Sequence, residues 1–280
     1  MSRPAGSVRY DNSGRVVLVT GGASGIGRSI CEHWQQSGAT VVCLDVDEQS
    51  GATLPAGILF VRGDTSARAD CERAVSIAVE RCGGLDVLIN NAAIQPRASY
   101  VGQHEFPSEL WDRLVAVNLT GYAQMAGSAL RVMLAQGSGV VCNIGSAQAY
   151  RTARQVAAYG PIKAANLLQA RQWGVEYARA GIRCVSISPG AILTPLVQAT
   201  LSEQGGAAAL ANRAPLGRLG HPDEIAAATL WMCSSAASFV TATDLLVDGG
   251  IDAFAAFADP YAPVSPPPPS AFIPPSASST

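Results

Sequence analysis

The chain has 280 residues and a mass of 28.8 kDa, a length that one large α/β domain accounts for. Hydrophobic residues make up 48% of it, and the net charge of −2 argues against binding to nucleic acid or to an anionic membrane surface. Only 14% of the residues are charged, which favours a surface partly covered in an oligomer.

Further classes are excluded by pattern. The chain has no run of about 18 apolar residues, so we expect no membrane span. Its first residues are polar and lack the apolar segment of a signal peptide. The seven cysteines are scattered without a CxxC pair, which predicts no metal site, no disulfide framework and a cytoplasmic location.

The chain order predicts a folded region between two tails. Residues 1–13 are expected to form a loose arm, and residues 256–280 a disordered Pro-rich tail that is either a solvated extension or a ligand for a proline-binding module. Apolar runs predict strands at 15–20, 40–45, 58–62, 85–90, 139–144, 182–188 and 244–248. Helical spacing predicts helices at 25–37, 66–82, 109–135 with a break near Gly121, 157–180 and 223–234 with its start set by His221 and Pro222. The second helix is expected to bury Ala69, Ala74, Ile77 and Ala78.

Continuous apolar strands that alternate with helices predict the α/β class. We expect a Rossmann-like doubly wound parallel sheet of about seven strands, with helices on both faces, in a single domain over residues 14–255. Ligands of such sheets bind at the carboxyl ends of the strands.

The first chemical motif is TGGASGIG at residues 20–27, directly after the first strand. Gly21 permits the tight turn, and Gly25 and Gly27 let backbone amides approach a pyrophosphate at the start of the helix. A turn that merely needs positive φ is the alternative interpretation. No GK[ST] follows, which excludes a nucleoside-triphosphate P-loop.

Asp45 ends the second strand, where a carboxylate accepts both hydroxyls of an adenosine ribose and repels a 2′-phosphate. No Arg or Lys stands beside it in the sequence, so the motif favours NAD over NADP. An ordinary strand-end carboxylate is the alternative, and Asp47 could serve the same purpose.

Tyr159 and Lys163 in YGPIK share one helix face. A cation beside a phenol lowers its pKa and makes it a usable general acid/base, although this spacing alone is also typical of an exposed helix face. Pro161 must lie in the first turn, which predicts a helix start at 158–160. Ser146 follows the fifth strand and can bind a substrate oxygen or cap a local turn.

The combined order of motifs is distinctive. TGGASGIG, NNAA at 90–93, VNLTG at 117–121, Ser146, YGPIK and SPG at 188–190 together resemble the short-chain dehydrogenase/reductase family in its single-domain form. The match covers residues 14–253. Ala93 stands where glycine is usual, and Pro161 lies inside YGPIK, but neither departure removes a catalytic group.

The resemblance implies a catalytic set of Asn118, Ser146, Tyr159 and Lys163. Tyr159 would exchange a proton with the substrate oxygen, and Lys163 would lower its pKa and bind the nicotinamide ribose. Ser146 would orient the carbonyl, and Asn118 would hold a water that links Lys163 to solvent. Hydride would pass between the nicotinamide and the substrate carbon.

The resemblance also implies an assembly and a cofactor site. A homotetramer is expected, with a dimer as the alternative, and the 109–135 and Tyr159 helices would form one interface. The cofactor contacts are expected from Gly21, Ser24, Gly25, Ile26, Gly27, Asp45, Asp64, Asn91, Ala92, Tyr159, Lys163, Pro189, Ile192 and Thr194.

The substrate side is less well defined by the sequence. Residues 196–215 are predicted to form a mobile lid, and the pocket candidates are Gln95, Arg97, Gln148, Tyr150, Arg151, Gln155 and Leu196. This polar set favours a sugar, polyol or hydroxy acid, whose carboxylate Arg97 or Arg151 would pair unless both arginines point to solvent.

The predicted function is NAD(H)-dependent interconversion of a secondary alcohol and a ketone. One alternative is an NADPH-dependent ketoreductase of 3-ketoacyl or polyketide-like substrates. The other is a dinucleotide-binding protein without catalysis.

Overall fold

The fold is that of a computed structural model that describes residues 6–199, 201 and 205–254. The predicted Pro-rich tail and the start of the predicted arm lie outside these residues. The strands are β1 (Val16–Thr20), β2 (Thr40–Asp45), β3 (Leu59–Arg62), β4 (Val87–Asn90), β5 (Gly139–Ile144), β6 (Ile182–Pro189) and β7 (Thr243–Val247). The α-helices are α1 (Gly25–Gln36), α2 (Glu48–Gly51), α3 (Arg68–Cys82), α4 (Ser108–Val115), α5 (Gly121–Gln136), α6 (Tyr159–Tyr177), α7 (Pro195–Gln198), α8 (Gly206–Ala211) and α9 (Pro222–Met232).

All seven described strands pair in parallel in the order β3-β2-β1-β4-β5-β6-β7. This confirms the predicted doubly wound sheet. The chain leaves the sheet on one side of β1 and returns on the other, so β1 and β4 flank a switch point. A crevice for a ligand opens there, at the carboxyl ends of the strands.

The core lies on both faces of the sheet because strand side chains alternate. In β1, Val17 and Val19 pack with helices α1 and α9 on one face, where Trp34 is fully buried. Val16 and Leu18 pack with α3 and α5 on the other face. The continuous apolar runs of the sequence therefore supply two hydrophobic layers at once.

Helix α3 differs from its prediction in start and in buried face. It begins at Arg68 rather than at 66, and Ala69 is exposed. Cys71 and Val75 lie in the core beside Ala74 instead. Ala69 lies in the first turn, before the helix crosses the sheet, which explains why an apolar residue there contacts no core.

The predicted helix over 109–135 is continuous, and the expected break near Gly121 is a π-helical turn over Ala116–Thr120 between α4 and α5. Single π turns of this kind often lie at functional sites. Helix α6 begins at Tyr159, so Pro161 occupies its first turn as predicted. The short helices α2, α7 and α8 were not predicted, because they are too short for a periodic signal.

Candidate active site

A cavity of about 910 Å³ opens at the carboxyl ends of the strands. The site residues predicted from the sequence line this cavity, with two exceptions: Tyr150 does not line it, and Asn118 is fully buried behind it. The cavity is lined by residues from six strand ends and from the starts of helices α1 and α6. It brings together residues as far apart in the sequence as Gly21 and Leu196, which are more than 170 residues apart.

The glycine-rich turn is shaped by two close approaches. Gly21 has φ +63°, and an added Cβ would lie 2.7 Å from the Cα of Ala92. At Gly27 an added Cβ would collide with the carbonyl oxygen of Gly21. The side chain of Ser24, at the N-cap of α1, makes no capping hydrogen bond, so the amides of the first turn keep their capacity to bind an anion.

Asn91 and Thr20 lock this turn to β4. The Asn91 amide nitrogen donates to the carbonyls of Thr20 and Gly21, at 3.0 Å each. The Thr20 hydroxyl accepts from the backbone N–H groups of Asn91 and Ala92, also at 3.0 Å. Asn91 and Ala92 line the cavity, and these hydrogen bonds tie the glycine turn to the end of β4.

Asp45 lines the cavity at the end of β2. Its carboxylate accepts from the Ala23 N–H at 2.9 Å and from the Asp47 N–H at 3.0 Å, which fixes it beside the glycine turn. Asp47 instead caps helix α2 by accepting from the Ser50 N–H, so it does not compete for the same role.

Arg62 is a neighbour of Asp45 across the sheet rather than along the sequence. Arg62 of β3 is in register with Asp45, and its guanidinium, 71% exposed, lies 3.8 Å from the Glu48 carboxylate. The sequence could not show this neighbour because it depends on strand pairing.

Asp64 lines the cavity near the same end. Its partial burial by itself would raise the pKa, but hydrogen bonds from Arg113 at 2.7 Å and from Ser66 outweigh burial and hold the pKa of Asp64 below its usual value. The carboxylate therefore stays ionised and fixed in place.

Lys163 is 1% exposed and lines the cavity with Tyr159. Its Nζ donates to the Ile144 carbonyl at 2.7 Å and to the Tyr122 hydroxyl at 3.0 Å, and lies 5.6 Å from the Tyr159 ring centroid. Burial lowers the pKa of Lys163 to about 7.

The pKa of Tyr159 shifts opposite to the direction expected from the sequence. Burial raises it above the usual value, and the neighbouring Tyr100 phenol adds to the rise. Desolvation of the phenol thus raises its pKa by more than the nearby lysine lowers it. The same burial lowers the pKa of Lys163, so this residue carries less positive charge. Additional positive charge is needed to make Tyr159 a usable base.

Ser146 follows β5 and lines the cavity, where it can meet a substrate oxygen. It also caps a local turn, which was the alternative interpretation. Its hydroxyl accepts from the Gln148 N–H at 3.1 Å, at the start of a short 3₁₀ turn. A hydroxyl that accepts there keeps its own proton for a substrate oxygen.

Asn118 lies in the π turn, and its side chain makes two hydrogen bonds to the backbone of Ile94. Its amide donates to the Ile94 carbonyl and its oxygen accepts from the Ile94 N–H, at 2.8 Å each. Its backbone carbonyl accepts from the Asn166 amide at 2.9 Å. The second lone pair of that carbonyl can accept from the water expected from the family resemblance.

A buried row of asparagines beneath the site was missed by the sequence analysis. Asn90 of β4 donates to its register partner Asn143 of β5 at 3.0 Å, and Asn143 donates to the Asn166 carbonyl at 3.0 Å. All three are fully buried. Polar residues that end two apolar strands were the available signal, and they tie β4, β5 and α6 together under the cavity.

The opposite wall is formed by the segment after β6. Thr194 caps helix α7 by accepting from the Val197 N–H at 3.3 Å. An added Cβ on Gly25 would lie 3.5 Å from the Thr194 side chain, so this segment closes against the glycine turn. Pro189 and Ile192 line the cavity on the same side, and Ile192 is bridged to Gly220.

Two of the predicted pocket residues are held by acidic residues of the protein. Arg151 lines the cavity, but its guanidinium donates to the backbone carbonyl of Asp252 at 3.1 Å and lies 3.3 Å from the Asp252 carboxylate. Tyr150 donates to Asp244 at 3.0 Å and is not among the lining residues.

The remaining wall is polar. Gln95 is 7% exposed, and its Nε2 has no hydrogen-bond partner among the described residues. The buried Oε1 of Gln148 also lacks one within the described chain. Arg97 lines the cavity, and so do Arg154 and Arg213, which the sequence analysis did not name. Among the described residues, no cluster of His, Cys, Asp or Glu could hold a metal ion, and no helix is long and apolar enough to cross a membrane.

Several known proteins are similar to this chain over most of its length. A family model described as enoyl-(acyl carrier protein) reductase matches residues 21–252. The cis-4-hydroxycyclohexanecarboxylate dehydrogenase of Sinomonas cyclohexanicum is 37% identical over 85% of this chain and 97% of its own length. The NAD-dependent glycerol dehydrogenase of Listeria innocua is 32% identical over 86% and 95%.

The chain belongs to the short-chain dehydrogenase/reductase family. Among solved structures, a 3-ketoacyl-(acyl-carrier-protein) reductase from Brucella melitensis in complex with NADH has a TM-score of 0.80 and 31% identity, covering 86% of this chain and 99% of that one. As a family member, the chain is an oxidoreductase that interconverts alcohols and ketones, as the motifs predicted. The glycine turn, the uncapped start of α1 and the carboxylate of Asp45 fit a dinucleotide.

We expect Lys163→Met to stabilise this dehydrogenase/reductase while abolishing turnover. The unfolded chain binds a proton at lysine up to a pH of about 10.4, whereas the folded chain releases it above about pH 7. Replacing the buried lysine should raise the free energy of unfolding at pH 8 by about 1–4 kcal/mol. The Tyr122 hydroxyl keeps its bond to the Ile144 carbonyl at 3.1 Å.

The measurement is denaturant unfolding at several pH values. The gain should shrink as the pH approaches 10.4, because the unfolded lysine then loses its proton as well. Equal unfolding free energies for both proteins at pH 8 would contradict a cost of burial.

Proposed function

We propose that the chain is an NAD(H)-dependent dehydrogenase of polar secondary alcohols, with Tyr159 as the general acid/base. One observation carries the proposal: Tyr159 and Lys163 lie on one face of α6 and line the same cavity as the glycine turn and Asp45. Proton transfer and dinucleotide binding therefore share one site.

Each part of the dinucleotide has candidate partners. The amides at the start of α1 bind the pyrophosphate, and Asp45 accepts from the adenosine ribose hydroxyls. Lys163 has three N–H donors, of which two are used by Ile144 and Tyr122, so the third is left for the nicotinamide ribose. When bound, NAD supplies the hydride acceptor and NADH the donor.

In oxidation, Tyr159 takes the proton of the substrate hydroxyl, and Ser146 donates a hydrogen bond that orients the same oxygen. The raised pKa of Tyr159 requires positive charge nearby before it can act as a base. Protonated Lys163 supplies part of that charge. The rate of oxidation should rise with pH as the phenolate forms, and should fall again where Lys163 loses its proton.

Substituting Tyr159→Phe should reduce turnover by at least about 10³-fold, because the variant lacks the transferred proton. Dinucleotide affinity should stay within a few-fold, since the ring still lines the cavity. Alcohol oxidation followed at 340 nm and NADH fluorescence titration separate the two effects. A variant with near-normal rate would rule out proton transfer by Tyr159.

The choice of NAD over NADP rests on Asp45, which would repel a 2′-phosphate, and the glycerol dehydrogenase relative and the ketoacyl reductase complex both involve NAD or NADH. The observation that favours the NADPH-dependent ketoreductase alternative is Arg62 on β3. It is the register partner of Asp45, and a cation at this end of the sheet would attract a 2′-phosphate.

Parallel titrations with NADH and NADPH should therefore show tighter binding of NADH. Asp45→Asn should raise the affinity for NADPH by about tenfold, and adding Arg62→Ala should reverse that gain. Tighter binding of NADPH by the unmodified protein would move the assignment to the ketoreductase. Binding without turnover of any alcohol or ketone would favour a protein without catalysis.

For the substrate we propose a hydroxy acid, with sugars and polyols as the neutral alternatives. Arg97 and Arg154 line the same cavity as Tyr159, and Arg151 is held by Asp252. The name of the Sinomonas relative also specifies a carboxylate substrate. Of the two arginines named from the sequence, Arg97 is kept as a partner for the carboxylate, and Arg154 is added to it.

If so, Arg97→Gln or Arg154→Gln should lower kcat/KM for 4-hydroxycyclohexanecarboxylate by about tenfold or more, and should leave its neutral amide within about twofold. Arg151→Gln is the matched control and should leave the ratio of the two substrates unchanged. Equal losses on both substrates would exclude recognition of the carboxylate.

Assembly, location and domain limits stay predictions. A homotetramer, with a dimer as the alternative, is supported by Leu168 and Val175 on α6, which are 66% and 75% exposed, and by exposed Leu134 on α5. These are the two helices predicted to meet a neighbouring copy. A cytoplasmic location and a catalytic domain over 14–255 follow from the sequence.

A further inference from the structure

Lys163 is held from behind by a residue that no motif contains. Tyr122 lies in the first turn of α5, directly after the π turn, and is 1% exposed. Its hydroxyl accepts from the Lys163 Nζ at 3.0 Å and donates to the Ile144 carbonyl at 3.1 Å. Lys163 donates to the same carbonyl at 2.7 Å. The three groups form a closed triangle.

The Tyr122 ring reinforces this contact. The Lys163 Nζ lies 5.0 Å from the ring centroid, within the range of a cation–π interaction. Burial raises the pKa of Tyr122 well above its usual value, so the phenol stays neutral and can solvate a cation without competing for its proton.

The hydrogen-bond partners of Lys163 differ from those that the family resemblance implies. The side chain of Asn118, which the family resemblance links to a water beside the lysine, is engaged by Ile94. The described partners of Nζ are instead Tyr122 and Ile144. A protein hydroxyl therefore lies against the buried ammonium.

We propose that Tyr122 is a positioning residue that holds Lys163 protonated and directed toward the cavity. The proposal rests on the proposed function for the role of Lys163. The other titratable groups that act on this pair or on Tyr159 are the phenols of Tyr159 and Tyr100 and the thiol of Cys142. None of these carries positive charge, so the ammonium depends on its hydrogen bonds.

The chain allows a direct test, because Lys163 is its only lysine. Protein labelled with lysine that carries ¹³C at Cε gives one lysine signal, and its chemical shift reports the protonation of Nζ without substrate or dinucleotide. Tyr122→Phe keeps the ring in its packed position and removes only the hydroxyl. The Ile144 carbonyl retains Lys163 as a donor, so the group that loses a partner is the Lys163 ammonium itself.

Loss of the hydroxyl should lower the titration midpoint of Lys163 by about one pH unit, a tenfold change in the ratio of charged to neutral amine. The alkaline limb of kcat/KM should move down in pH by the same amount, since the protonated lysine is the active form. Tyr177→Phe, at the far end of α6, is the matched control and should leave both unchanged.

Identical lysine midpoints in the unmodified protein and Tyr122→Phe would overturn the proposal. So would a uniform loss of activity without movement of the alkaline limb, which is the mark of a merely structural role. The NMR titration keeps this test separate from the proposed function. Absence of alcohol turnover in the unmodified protein would defeat the function, while the lysine signal would still decide whether Tyr122 supports the charge.

Discussion

The burial of one lysine is the constraint on which the site depends. Lys163 is taken out of water between α6 and the end of β5, where its described hydrogen-bond partners are a carbonyl and a phenol. Folding thus provides a cation whose pKa lies close to neutral pH rather than far above it. Such a group costs stability, and the surrounding polar network exists to hold it in place.

That network links the fold to the chemistry. The row of Asn90, Asn143 and Asn166 joins two central strands to α6, and Asn166 in turn holds the π turn. The π turn sets the start of α5 and hence the place of Tyr122. Buried amides are expensive unless they are paired, so this row fixes the register of the elements around Lys163.

Much of this architecture could be predicted from the sequence. Apolar runs such as that of β1 identify the parallel sheet, the glycines at 21 and 27 identify the turn, and Pro161 locates the start of α6 because proline is tolerated only there in a helix. Contacts between distant segments could not be predicted. Arg62 lies beside Asp45 only after β2 and β3 pair, and Tyr122 reaches Lys163 only after α5 and α6 pack. The direction of the Tyr159 pKa shift also depends on burial, which spacing does not reveal.

The central claim is that Tyr159 becomes a base only when positive charge is added to this buried site. Its most direct test is the phenolate absorbance near 295 nm, taken as the difference between the unmodified protein and Tyr159→Phe, across pH with NAD and with NADH. The account predicts that NAD, whose nicotinamide is cationic, lowers the pKa of Tyr159 into the range where oxidation occurs, whereas neutral reduced nicotinamide leaves it high. A Tyr159 that stays protonated at all accessible pH values with NAD bound would contradict the account.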